Sequence, residues 1–346
     1  MPTLSSPRPS RRVGRRRAAL VALASLVVAA TGSWGYERYA VARDARLWPP
    51  VGQRIDVGGH RLHLVCGGSG TPTVVFETSG FSNSTSYGAV RDALTRYTRV
   101  CVYDRVGVGW SDPAPRTVTA GMLVDDLRRL QDAASLDGPL IIVASSIGGL
   151  TAELFARRYP DRVAALMFLD AANSDVIERL AASISPAIGS TSCAAISAAG
   201  AAGVMRMFDP WNQRESRATA RSAALLYGAK PWLELCALVR GVQQTLRDFR
   251  DVPPLRRELP ITAFSAATAD DLLPPSVWRL VNIDRGALTT ALQTSLEQLA
   301  ARSSRGIWRR IPNSTHLIAT SQPQAVVDGV MDLLAYTRSA TAGQRQ

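Results

Sequence analysis

Histidine, cysteine and lysine are scarce in this sequence, and each scarcity narrows what the chain can do. Only His60, His63 and His316, four cysteines and the single lysine Lys230 occur in 346 residues. Three histidines leave few candidates for a general base. Cys66, Cys101, Cys193 and Cys236 are spaced unlike the ligand pairs of a zinc site, so no metal is expected, and no cofactor. The lone lysine reads as an arginine bias of composition and not as chemistry. No internal repeat is visible. With 46% apolar and 20% charged residues, nothing points to disorder over most of the length.

The first 17 residues contain no acid but hold Arg8, Arg11, Arg12, Arg15, Arg16 and Arg17. They account for half of the +12 net charge. The remaining arginines are interleaved with acids, as in Asp125, Asp126, Arg128 and Arg129, so nucleic acid is not an expected partner. Residues 18–36 that follow are apolar or small without a charge. Nineteen such residues in a helix span about 28 Å, close to the ~30 Å hydrocarbon core. Arginines before the stretch predict an N-inside orientation, and Trp34, Tyr36, Tyr39 and Trp48 suit the far interface. The segment is then either a signal anchor or a cleaved signal peptide, for which Ala40-Val41-Ala42 is the candidate cleavage site. A twin-arginine export signal fits less well, because Gly14 and Arg15 occupy places that want apolar residues. Both main readings place the rest of the chain outside the cytoplasm. Residues 37–51, with Pro49-Pro50, read as a linker.

From residue 52 the pattern becomes strand, turn, helix, repeated. Arg54–Val57 and Arg61–Cys66 flank Gly58-Gly59, a hairpin signal. TVVFE (73–77), RVCVY (99–103), PLIIVA (139–144) and VAALMFL (163–169) are continuous apolar runs, as in a sheet covered on both faces. Residues 122–134 and 148–159 have helical spacing. Further strands are expected at 261–265 and 307–311, and a closing helix at 324–336. The alternation implies an α/β fold with a doubly wound, mostly parallel sheet. Residues 174–259 show no clear strand and read as a helical cap. The core is then 52–173 with 260–340, preceded by the tail 1–17, the apolar helix 18–36 and the linker.

The sharpest chemical signal is Ala144-Ser145-Ser146-Ile147-Gly148-Gly149, between a buried strand and a helix. That is where a nucleophile elbow belongs. Such a turn needs small residues two places before and after the serine. Ser146 has Ala144 and Gly148, whereas Ser145 would have Val143 and Ile147, so Ser146 is the candidate nucleophile. A serine hydroxyl needs a base. His60 and His63 precede the elbow, while His316 follows the last expected strand and is the candidate base. An oxyanion hole needs two backbone N–H donors. One falls on Ile147, directly after the serine. The other falls on the Thr78-Ser79-Gly80-Phe81-Ser82 loop, at Phe81.

Together these residues resemble the α/β-hydrolase superfamily over 52–336, and within it exported, single-anchor bacterial serine hydrolases of the esterase and lipase kind. Asp56-Val57-Gly58-Gly59-His60-Arg61-Leu62-His63 resembles the opening hairpin. Tyr103-Asp104-Arg105-Val106-Gly107-Val108-Gly109-Trp110-Ser111-Asp112 is similar to the family's D-R-x-G-x-G-x-S segment. Ser79 and Ser145 stand where many members carry histidine, which leaves the backbone donors of the oxyanion hole untouched. The resemblance implies hydrolysis through an acyl-enzyme, on a small ester or acyl substrate that an apolar cap would make hydrophobic. It leaves the acid that orients His316 open between Asp270, in the loop after the seventh strand, and Asp170, ending the sixth; Asp271 is a third choice. Outside the cytoplasm the cysteines can pair. Cys193 and Cys236 both fall in the cap and are an expected bridge; the family's strand order implies Cys66 with Cys101. Peptidase or cofactor-free peroxidase chemistry on the same residues is the alternative within the fold. A catalytically silent, membrane-tethered binding protein is the alternative of another class. Dehalogenase and epoxide-hydrolase chemistry is disfavoured, because those relatives carry Asp where Ser146 stands.

Overall fold

A computed structural model describes residues 11–80, 82–115, 117–181, 186–208, 217–268, 272 and 284–343. Helix α1 (Arg11–Leu47) precedes a hairpin of β1 (Gln53–Asp56) and β2 (Arg61–Gly67). The core continues as β3 (Val74–Glu77), α2 (Gly88–Leu94), β4 (Val100–Asp104), α3 (Ala120–Ala133), β5 (Leu140–Ser145), α4 (Gly148–Arg158) and β6 (Val163–Leu169). Helices α5 (Ser174–Ala181), α6 (Pro186–Ala201), α7 (Val204–Phe208), α8 (Arg217–Leu226) and α9 (Ala229–Asp248) follow. The chain then returns through β7 (Ile261–Ser265), α10 (Arg285–Ala301), β8 (Gly306–Arg310), α11 (Ile318–Ser321) and α12 (Pro323–Gly343).

The eight strands form one sheet in the order β1-β2-β4-β3-β5-β6-β7-β8. The β1–β2 and β2–β4 pairs are antiparallel and the others parallel. Each continuous apolar run is divided between two cores by the period-two alternation of a strand. On one face Val75, Cys101, Ile142 and Phe168 pack with Leu127 of α3, Leu154 of α4 and Leu296 of α10. On the other, Phe76, Val102, Val143 and Met167 pack with Leu94 of α2 and Val330 of α12. Helices on both faces bury both sides of the inner strands β3 to β7, whereas the edge strands β1 and β8 are largely exposed. The strand order of this sheet brings Cys66 opposite Cys101 in the β2–β4 register, and the two are bonded. The cap pair Cys193–Cys236 is bonded as well, joining α6 to α9.

Three features depart from the reading of the sequence. The expected linker 37–51 is helical up to Leu47. Nothing between Glu37 and Leu47 breaks a helix; Pro49-Pro50 does, since proline disfavours α conformation in the residue before it. Helices α2 and α10 were not foreseen. The first is only seven residues long. The second was legible: Asp284 caps it by accepting from the Ala287 N–H, and Leu292, Leu296 and Leu299 recur on its buried side.

Candidate active site

The strand–turn–helix at Ser146 is built as its sequence requires. Ser146 follows the last residue of β5 with φ +53°, in the left-handed region that costs a side-chain-bearing residue on the order of 1–3 kcal/mol. Backbone bonds hold it there. Its N–H donates to the Leu169 carbonyl (3.3 Å), and its carbonyl accepts from Gly149 (3.0 Å) and Ala172 (2.8 Å). A Cβ on Gly148 would lie 2.7 Å from Glu77 Cγ and 2.9 Å from the carbonyl oxygens of Glu77 and Thr78. Only glycine fits at that place, two residues after Ser146. Ser145, by contrast, is the buried end of β5.

The parallel register brings the other groups to the same end of the sheet. Asp170 follows the end of β6, next to β5, and His316 lies in the loop after β8. His316 Nε2 stands 2.9 Å from Ser146 Oγ, and His316 Nδ1 stands 2.7 Å from Asp170 Oδ2. Asp170 Oδ1 accepts from the Ala266 N–H at 3.0 Å. Asp170 and His316 are 2% and 4% exposed, so the pair is shielded from water. The other histidines are engaged elsewhere. His60 binds Asp126 at 2.9 Å, while His63 binds Asp104 at 2.8 Å and the Val51 carbonyl at 2.6 Å.

The sequence left the partner of His316 open between Asp270 and Asp170. The structure brings Asp170 to it. Asp270, Asp271 and Phe81 lie outside the described residues. Ile147, one residue after Ser146, is the N-cap of α4. The loop after β3 lies against it: a Cβ on Gly80 would stand 3.7 Å from Ile147 Cγ2.

Beneath that loop is a buried ionic group that the sequence reading missed. Arg105 Nη2 donates both to the Ser79 carbonyl (3.2 Å) and to Glu234 Oε1 of α9 (3.1 Å). Glu77 Oε1 lies 4.0 Å from Arg105 Nε, and all three side chains are fully buried. Burial pushes the Glu77 carboxyl up to about 8 and that of Glu234 up to about 7, against the pull of Arg105. The signal was an acid at the end of an apolar strand, TVVFE. Lys230, set aside as compositional, is largely buried and donates to the carbonyls of Gly109 and Ser111 (2.9 Å to the latter). Burial also lowers it to about 8. Lys230 and Glu234, one turn apart on α9, therefore grip the 105–111 loop from above. Among the described residues no cluster of His, Cys, Asp and Glu forms a metal site. One cavity, of about 1010 Å³, is lined by Pro139, Val163 and Pro260 at the opposite end of the sheet.

A family model for the alpha/beta hydrolase fold matches residues 72–323. An uncharacterised protein of Schizosaccharomyces pombe is 36% identical over 89 residues, 26% of this chain and 17% of that protein. The 2-hydroxy-6-oxo-2,4-heptadienoate hydrolase of Pseudomonas putida is 31% identical over 125 residues, 35% of this chain and 45% of the enzyme. The chain spans less than half the length of the first curated relatives it matches. Among solved structures, a thermophilic esterase from Thermogutta terrifontis superposes with a TM-score of 0.55 at 20% identity, covering 82% of this chain and 98% of the esterase. At that identity the likeness is one of fold.

Proposed function

The chain belongs to the α/β-hydrolase fold family, and we propose that it is a serine hydrolase that cleaves carboxylic esters through an acyl-enzyme. The observation that carries this reading is the unbroken line from Ser146 Oγ through His316 to Asp170. His316 Nε2 takes the hydroxyl proton as Ser146 Oγ bonds to the ester carbonyl carbon. The carbonyl π electrons move to oxygen, where the Ile147 N–H and a second donor from the 78–82 loop, at Phe81, receive the charge. The tetrahedral adduct collapses, the C–O bond to the alcohol breaks, and the alkoxide takes the proton from His316. A water molecule then gives its proton to His316 and attacks the acyl carbon. Collapse frees the acid and returns the proton to Ser146. Asp170 stabilises the imidazolium of both steps and keeps Nε2 facing the serine.

Helix α1 is long and apolar enough to cross a membrane. In this reading it anchors the enzyme with the arginines inside and the catalytic part on the far side. The substrate is a small hydrophobic ester. A fluorophosphonate should label the full-length protein, and Ser146→Ala should remove both that labelling and turnover of short p-nitrophenyl esters. Labelling of the Ser146→Ala protein at the wild-type rate refutes the assignment. Labelling without ester turnover turns the reading toward a peptidase or peroxidase.

A further inference from the structure

Helix α1 is too long to be only a membrane span. Its 37 residues rise about 56 Å, nearly twice the ~30 Å hydrocarbon core. The apolar stretch 18–36 fills that core, with Leu20, Val21, Leu23, Leu26, Val27 and Val28 all exposed. The eleven residues beyond it, 37–47, carry a different pattern. Glu37, Ala40 and Asp44 lie on one face and are 4%, 1% and 7% exposed. Two are acids, which a helix face does not bury without a partner.

The partner is the cap. Arg206 of α7, 4% exposed, donates through Nε to Glu37 Oε2 (2.8 Å), through Nη2 to Glu37 Oε1 (3.3 Å) and through Nη1 to Asp44 Oδ2. One guanidinium thus bridges acids two turns apart. Ser33 donates its hydroxyl to the Ala202 carbonyl. Gly203, at φ +70°, lets the cap backbone come close: a Cβ there would stand 2.9 Å from Glu37 Oε2. Ser33 belongs to the apolar stretch and Glu37 is the first charge beyond it, so cap residues 202–206 meet the helix where it leaves the hydrocarbon. Trp34, Tyr36 and Tyr39, the residue types enriched at membrane interfaces, are exposed at the same level. The apolar Met207, next in the chain to Arg206, is 56% exposed.

We propose that the cap is seated on the outer surface of the phospholipid bilayer by Arg206, clamped to Glu37 and Asp44 of the chain's own membrane helix, so that the site takes an ester lodged in that bilayer. The seating rests on the geometry above; the substrate class rests also on the serine-hydrolase reading. The helix is accordingly retained. The candidate cleavage site at 40–42 lies within the docked segment, and Ala40 is closed off by the contact.

The test uses full-length Met207→Cys carrying an environment-sensitive fluorophore, reconstituted in phosphatidylcholine vesicles. The four native cysteines are paired, so only the new thiol reacts. Lipids with a quencher near the headgroup should quench the label more strongly than lipids quenched deep in the chains. Arg206→Glu should abolish most of that quenching, and adding Glu37→Arg, which restores one cation between two acids, should bring it back. A label at 207 that shallow lipids leave bright overturns the seating. So does quenching that survives Arg206→Glu in a protein with an unchanged melting transition. If Arg206→Glu does not fold, the Met207→Cys protein alone decides. Ser146→Ala should quench like wild type, so failure of the seating and failure of the hydrolase assignment are separable. For the substrate class, Arg206→Glu should slow hydrolysis of a vesicle-embedded long-chain ester on the order of tenfold, by lowering its effective concentration, and spare a soluble short-chain ester. Equal loss on both substrates overturns the substrate class.

Discussion

Replacing Asp170 by asparagine changes one atom and tests the proposed site most directly. The carboxylate accepts two hydrogen bonds in a dry place, from His316 Nδ1 at 2.7 Å and from the Ala266 N–H at 3.0 Å. An amide has one acceptor for those two donors. If its oxygen stays on Ala266, its NH2 faces Nδ1. His316 must then accept at Nδ1 and carry its proton on Nε2, where it can no longer take one from Ser146. If the amide turns over, its NH2 faces the Ala266 N–H, and two buried donors left opposed cost about 1–3 kcal/mol. That alone leaves the productive orientation between roughly one-sixth and roughly 1/160 of the population. The negative charge that stabilises the imidazolium is lost in either case. The two effects together predict a fall in kcat of about 10³–10⁴, or roughly 4–5.5 kcal/mol in the barrier. The assay is kcat on a short p-nitrophenyl ester, with the rate of fluorophosphonate labelling as an independent measure of Ser146 reactivity. Asp170→Asn within threefold of wild type, with the loss appearing in Asp270→Asn, would refute the reasoning and move the acid to the loop after β7.

Removing the cap bridge by Cys193→Ser with Cys236→Ser releases a loop with a sequence separation of 43. Chain entropy values that constraint at about 4 kcal/mol; earlier proteolysis within residues 186–226, with the core melting transition retained, is the expected outcome, and an unchanged digest contradicts it. Glu77 and Glu234 both titrate above the ordinary 4.5, at about 8 and about 7 in the folded protein. Their stabilisation is therefore complete below pH 4.5 and is lost as pH rises through 7 and 8, because the unfolded chain releases protons that the folded one retains. Tm should fall over that window, and Glu234→Gln should flatten the fall; an identical slope in the variant would show that burial does not raise Glu234.

The strands and the elbow were legible because each is specified locally. VAALMFL is buried at β6 over the residues expected, since a run apolar at every position fits only a sheet covered on both faces. Ser146 was separable from Ser145 by the sizes of residues two places away, and Gly148 shows the clash that makes this so. The acid was not separable. Asp170 and Asp270 both follow strands that end at the site, and the choice depends on how far a loop reaches. The buried charges were hidden for a related reason. Glu234 and Glu77 lie 129 and 28 residues from Arg105 along the chain, and no local pattern pairs them. Glu37 and Asp44 follow an apolar run and read as the start of a soluble linker. Only their spacing on one helical face, with Ala40 between, marks them as an interface.

Those same charges bear on which part of the cap can move. Helix α9 lies in the segment read as cap, yet it is bonded to the core along much of its length. Its Ala237 carbonyl accepts from the Val118 N–H at 3.0 Å, and Gly241 lets it approach so closely that a Cβ would stand 1.8 Å from the Val118 carbonyl oxygen. Arg105 Nη2 is shared between Glu234 of α9 and the Ser79 carbonyl of the loop beside Ile147. Swinging α9 away would strip Arg105 and Glu234 of each other inside the protein, at a cost of about 3–5 kcal/mol, and would release the loop proposed to hold an oxyanion donor. A substrate that entered by lifting the whole cap would thus meet a site whose hole had come apart. Helix α9 is for this reason better regarded as a part of the core that supports, through Arg105, the loop at Ser79 beside Ile147.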